Sequence, residues 1–310
     1  MARDDVFLTN QQLMLLKLET TYGSDSAPTH TASFDAIKLV DAFTLDLGQT
    51  VVEQSGGTLS RGRIRPIGTT RPVGVTFRSY LTGTDGASLA AAVKHPLASA
   101  LQACGLQETF ASAQYTYQAT SDVQSDASVT IVAHQDGYEH RIVGAQGNVN
   151  LIFSAAAPVI AEFNFRGILS TEASTTRAAA TGLPTATPPR WIDSGSIVVG
   201  SWFAEVENLN FNTNNTLYEQ PASKAGSGSG ILRVVITERF PGGSMDPAAT
   251  QPNSFDFIGS FRASSGTIMR LAGGTQVGNR FTLTASQVVF KTMGWGDKSG
   301  LSIFNTDFEA

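Results

Sequence analysis

A single cysteine, Cys104, in a chain of 310 residues leaves no partner for an intramolecular disulfide and no thiolate set for a zinc cluster, a usage that fits folding in a reducing compartment. Charge is scarce too: Asp, Glu, Lys and Arg make up 15% of the chain, against about 25% in an ordinary globular protein. Basic residues number 21 and acidic ones 26, a net charge of −5, and neither half of the chain is cationic. Holding nucleic acid through its phosphates needs clustered Lys or Arg, because counterion release supplies most of that affinity, so this composition excludes a cationic nucleic-acid binder. Long apolar runs are missing as well. No window approaches the ~18 uninterrupted apolar residues of a membrane span. The opening stretch MARDDVFLTNQQLMLLKLE has mixed charge, and Gln11, Gln12 and Lys17 interrupt its apolar part, unlike a secretory signal.

What fills the surface instead is hydroxyl: 33 Thr and 29 Ser, with 30 Gly and 12 Pro, a β-rich composition. The length suits roughly two domains. Residues 171–190, TEASTTRAAATGLPTATPPR, have no apolar periodicity and end in a Pro pair, as an extended linker would. The blocks on either side share an order of elements. Residues 42–54 (AFTLDLGQTVVEQ) alternate as a half-buried strand, a long loop follows, and residues 71–81 (RPVGVTFRSYL) resume the alternation. Residues 208–220 (NLNFNTNNTLYEQ), a Gly/Ser hairpin tip and residues 231–240 (ILRVVITERF) repeat that shape. A short amphipathic helix comes next in each block: residues 96–104, stopped by Gly105, and a helix capped by Asn253 that runs to Gly266. Strands are expected at 128–133, 138–143, 148–153 and 159–167, and again at 267–271, 279–285, 287–292 and 301–308. The expected fold is mainly β, with two tandem β-sandwich or split-barrel modules, each with one short α-helix. The division is an N-terminal arm at 1–25, a first module at 26–170, the linker and a second module at 191–310.

Candidate chemistry is sparse. AHQDGYEH places His134, Asp136, Glu139 and His140 close together, in principle a zinc or iron ligand set. Yet Asp136-Gly137 is a strong two-residue hairpin turn, and its register sets Gln135 opposite Tyr138, His134 opposite Glu139 and Ala133 opposite His140, with the two His on opposite faces. Cys104 lies on the apolar stripe of its helix with no His beside it, the mark of a structural thiol rather than a nucleophile. GSGSG at 226–230 lacks the Lys and the strand-to-helix setting of a phosphate loop. No catalytic, cofactor or metal residue is assigned. Asp46, Glu53, Glu162, Glu205 and Glu207 could serve a β-rich hydrolase but read as ordinary strand residues. The scattered Trp191, Trp202 and Trp295 give a carbohydrate-binding adhesin or tail-fibre sandwich no close aromatic platform. The one strong charge feature is SRGRIRPIGTTRP. Its Arg61, Arg63 and Arg65 share one face if extended, and with Arg71 they fit pairing with carboxylates of a neighbouring subunit better than contact with DNA.

Several segments together resemble the major tail proteins, or tail tube proteins, of long-tailed bacteriophages with non-contractile tails. They are KLETTYGSDSAPT at 17–29, VVEQ at 51–54, LASALQACGLQET at 97–109, GYEHRIVGAQGNVNLIF at 137–153, AEFNFRGIL at 161–169, RFPGGSMDP at 239–247, GGTQVGNRFTLTA at 273–285 and GWGDKSGL at 294–301. The resemblance implies a structural virion protein, assembled in the host bacterial cytoplasm, that self-assembles into stacked rings forming a hollow tube through which DNA passes. Where such a module is single the ring is a hexamer. Where it is duplicated three chains make a pseudo-hexamer, so the repeated element order favours a homotrimer over a homohexamer. The resemblance also implies a tape-measure protein inside the tube during assembly, tail terminator and distal tail proteins at its ends, and contacts to the next ring from residues 1–25, 55–70 and 221–230. It implies no cofactor and no membrane.

Overall fold

The computed structural model of the chain describes residues 11–31, 35–53, 66–83, 94–122, 126–155, 157–175, 183–191, 195–223 and 229–310. Its strands are β1 (Gln12–Leu18), β2 (Ala36–Ile37), β3 (Thr44–Leu47), β4 (Val51–Val52), β5 (Ile67–Gly68), β6 (Pro72–Tyr80), β7 (Leu106–Ala111), β8 (Gln114–Ala119), β9 (Val129–Gln135), β10 (Tyr138–Ser154) and β11 (Ile160–Ser174). They continue as β12 (Ser196–Val199), β13 (Trp202–Ala204), β14 (Val206–Asn212), β15 (Asn215–Pro221), β16 (Ile231–Arg239), β17 (Gly242–Pro247), β18 (Thr267–Gly273), β19 (Phe281–Lys298) and β20 (Leu301–Glu309). Two short helices are α1 (Ala98–Ala103) and α2 (Phe257–Ala263). The chain is thus mainly β, as its hydroxyl- and Gly-rich composition implies.

Fourteen strands join in one open, antiparallel sheet. Starting from β2, its neighbours in order are β1, β9, β10, β11, β6 and β3; starting from β13 they are β12, β18, β19, β20, β17 and β14. Each series has a hairpin arm inserted before its sixth strand, β4–β5 in one and β15–β16 in the other, and a helix after it. The first also carries the hairpin β7–β8. The two series meet where the end of β10 pairs with β14, from Asn150 opposite Asn212 to Ser154 opposite Asn208.

Strand side chains alternate between faces, and one face of this sheet is the core. In the first series Val75, Phe77, Phe163 and Phe165 pack with Met14, Leu16, Leu101 of α1 and the residues that cap it, Leu97 and Cys104. The Phe77 and Phe163 rings stack with centroids 5.1 Å apart. Gly147 lies opposite Phe165, and a Cβ there would come within 2.6 Å of that ring. In the second series Phe257 of α2 sits among Trp202, Phe290 and Phe304, with centroid distances of 5.4–5.6 Å. Cys104 is fully buried in the first-series core as a structural thiol, its pKa pushed well up by burial.

Several expected elements take a different form. Residues 42–54 and 208–220 are each two strands, not one. β14 ends where Asn214 takes a left-handed φ of 46° and its N–H donates to Asn212 Oδ1, a local turn that sends β15 out of the main sheet. Segments 138–143 and 148–153 form one strand, β10, because the Gly-Ala-Gln between them makes a bulge rather than a turn, with Gly144 at φ 61°. Segments 279–285 and 287–292 likewise fuse in β19, which runs on to Lys298. The cap of α2 is Asp256, whose carboxylate accepts from Gly259 N–H, and not Asn253; Ser264 ends the helix in a left-handed conformation, ahead of Gly266. Within the expected arm, residues Leu13–Leu16 of β1 are buried in the sheet. β11 runs to Ser174, inside the expected linker.

Candidate functional site

Towards β1 and β9 the face of the sheet opposite the core carries a buried apolar cluster of Leu13, Leu15, Ala36 and Val132, whereas from β3 across to β20 that face is largely polar and open. Its residues line up in rows across the strands. One row reads Thr44, Thr76, Asn164, Asn148. The next reads Arg78, Glu162, Asn150, Asn212, Gly242, Glu309, and a third Ile152, Asn210, Ser244, Asp307, Thr292. Two shallow depressions lie on this surface, one lined by Asn148, Asn150, Asn164 and Asn212 and the other by Asn208, Asn210, Ser244 and Asp307. The period-two spacing of Asn208, Asn210 and Asn212 is the signal in the sequence that could have identified this surface.

From β3 across to β19 the cations of this face are held by carboxylate, whereas exposed Arg270 of β18 has no such partner among the described residues. Arg78 Nε lies 2.5 Å from Glu162, Arg166 lies 3.5 Å from Asp46, and Lys291 lies 2.6 Å from Glu309. Lys298 Nζ sits 2.8 Å from Glu207 and 2.9 Å from Asp246. Partial burial works against the Asp246 anion, but the Asn208 backbone and side-chain donors and Lys298 outweigh it and hold the carboxyl below its ordinary range. Such open pairs add little stability, about 0–1 kcal/mol each. Their consequence is electrostatic, since they leave little uncompensated positive charge on a surface that offers mainly amides.

Two buried networks tie distant segments to this sheet. Glu19 accepts from Gly23 N–H, Ser128 Oγ, Thr130 Oγ1 and, at 2.8 Å, the Gly144 N–H at the β10 bulge. Tyr22 Oη donates to Gly144 O and accepts from Val234 N–H at 2.6 Å; burial pushes its phenol up to about 12. Asn215 Nδ2 donates to Cys104 O and Gly147 O, its backbone N–H donates to Asn148 Oδ1, and Arg239 Nε donates to its Oδ1. The arm β15–β16 is thereby clamped to the first strand series, where Ile231 also packs with Val143 and Ile168.

The residues singled out in the sequence are not brought together in one site. Arg61, Arg63 and Arg65 lie outside the described residues. Arg71 is exposed, and its backbone N–H donates to Ser229 O of the other arm. The Asp136-Gly137 turn has the expected register, with His134 opposite Glu139 and Ala133 opposite His140. Glu162, Asp46 and Glu207 take part in the ion pairs above, while Glu53 and Glu205 are exposed. Trp191 is buried, Trp202 stacks on Phe255, and Trp295 is exposed beside Phe304. No helix among the described residues is long and apolar enough to cross a membrane. The family described as phage tail tube protein matches residues 9–287. No curated protein matches the chain.

Proposed function

The chain belongs to the phage tail tube protein family, and on that premise we propose that three copies close a pseudo-hexameric ring, that rings stack into the tube, and that the amide-rich sheet face lines its lumen. As a member of that family it is a structural component of the virion whose copies assemble, with other tail proteins, into the tail tube. The repeated strand order supports reading the chain as two fused modules, 26–170 and 191–310, each contributing one of six similar sectors. The observation that carries the lumen assignment is the polar face itself. Each phosphate that a wall neutralises adds affinity through counterion release, and so adds friction. A wall of Asn, Ser and Thr whose Arg78, Arg166, Lys291 and Lys298 are already paired gives DNA little to hold. The role is physical: the wall guides DNA and catalyses nothing. A tape-measure protein occupies this lumen during assembly, and terminator and distal tail proteins close the ends. Arg61, Arg63, Arg65 and Arg71 contact the next subunit or ring.

Negative-stain electron microscopy of the purified chain over a concentration series tests the reading. Hollow tubes or rings of threefold symmetry are expected. In tubes, Asn210→Cys should resist a bulky maleimide that labels the free chain. Single particles at every concentration would count against the tube, sixfold rings of whole chains would replace the trimer by the hexamer, and full labelling in tubes would place the face outside.

A further inference from the structure

The junction between the two strand series inside one chain is also a template for the junction between chains. On the side of β10 away from β11, the first half of the strand pairs with β9 and its end pairs with β14. β19 holds the matching place in the second series. Its first half pairs with β18 as far as Val288, but among the described residues no strand pairs that side of residues 289–298. β3, which matches β14, pairs with β6 on one side and with no described strand on the other. One chain therefore presents both halves of a contact that it already makes once internally.

The side chains agree. Across β10 and β14 the core runs on without a break, through Leu151 opposite Phe211 and Phe153 opposite Leu209. At the two open edges, apolar residues on the same side of the sheet stand in solvent, Leu47 at 50% exposure and Trp295 at 69%. The arms show the same contrast. Ile231, Val234 and Ile236 of β16 are buried, whereas Val51, Val52 and Ile67 of the arm β4–β5 are about half exposed. Unpaired edges and half-exposed apolar side chains are what a sheet keeps when its neighbour is another copy.

We propose that β3 of one chain adds antiparallel to residues 289–298 of the next, with the arm β4–β5 laid over that neighbour's β19–β20 ladder as β15–β16 lies over β10 and β11. The partner is a second copy of this chain, and the contact is head to tail, the kind that gives a ring where its rotation closes, as the tube reading requires. It rests on the tube reading above and specifies which edges meet.

Tracing the ladders puts Leu47 in the place of Phe211 and Asp297 in that of Leu151. The test carries Leu47→Cys together with Asp297→Cys, or with Trp295→Cys for a register two residues away, in chains assembled into rings or tubes and mildly oxidised. Disulfide-linked species that stop at the ring size are expected for one of the pairs. In the unmodified chain, amides of 44–47 and 289–298 should exchange roughly tenfold more slowly, or slower still, once rings form. Rings or tubes without cross-linking in either pair, and with unchanged exchange at both edges, would overturn this contact while leaving the tube reading in place. Absence of rings from the wild-type chain would overturn both.

Discussion

His95 shows how a single largely enclosed group sets a pH limit on this fold. Leu97 N–H donates to His95 Nδ1 at 3.1 Å, Tyr117 meets the ring edge-on, and burial pulls the imidazole down to about 4. In the unfolded chain it takes a proton near the ordinary value of about 6.5. Its neutral form therefore stabilises the fold fully above about pH 6.5, and that contribution fades as the pH falls towards about 4, by up to ~3 kcal/mol. Chemical unfolding should show the wild type losing more stability than His95→Asn between about pH 7 and about pH 5, the variant keeping only the smaller slope of groups such as His134, which burial also lowers; parallel curves would refute it. Other residues of this kind differ in how legible they were. The apolar stripe around Cys104 was enough to identify a structural thiol. Nothing near Glu19 announced its role, because Ser128, Thr130 and Gly144 are more than a hundred positions away.

Elements follow local chemistry where it is strong and tertiary demand where it is not. Asp136-Gly137 fixed the β9–β10 register from sequence, since both residues take the positive φ that the turn requires. The Gly-rich stretch in β10 suggested a break, yet pairing with β11 carries the strand through it as a bulge. At α2 two residues could have capped the helix. Phe257 must enter the core as the helix begins, which leaves the cap to Asp256. Asp256→Ala should lower the free energy of unfolding by about 1 kcal/mol, read as a lower denaturant midpoint, with Asp256→Asn keeping most of it. An unchanged midpoint for the alanine variant would show that the cap contributes nothing.

At the scale of the whole molecule, strand order carries the argument. The sequence repeated an order of elements with little residue identity, and the two strand series have the same neighbours in the same order. The arms extend from matching places, yet one is Gly/Ser-rich at its tip and the other carries Arg61, Arg63 and Arg65. Under the proposed function, bridging to the next ring falls to the arginines. Replacing all three with Ser should leave the unfolding midpoint unchanged while tubes become shorter and fall apart at lower salt, because charge pairs on a surface are screened within about 8–10 Å. Tubes of normal length and salt resistance would sink that assignment.

The sequence by itself determined the β class, the two helices, the Asp136-Gly137 hairpin, the structural thiol and the family, because each depends on spacing or composition within a short window. The tertiary structure decided what depends on residues far apart. Alternation shows that a strand has two faces, but not which strands lie side by side. Only pairing across the sheet gathers Asn148, Asn164, Asn210 and Asn212 onto one open surface and sets carboxylates beside Arg78, Arg166, Lys291 and Lys298. Only pairing, too, leaves one edge of β3 and one edge of residues 289–298 without a partner strand among the described residues.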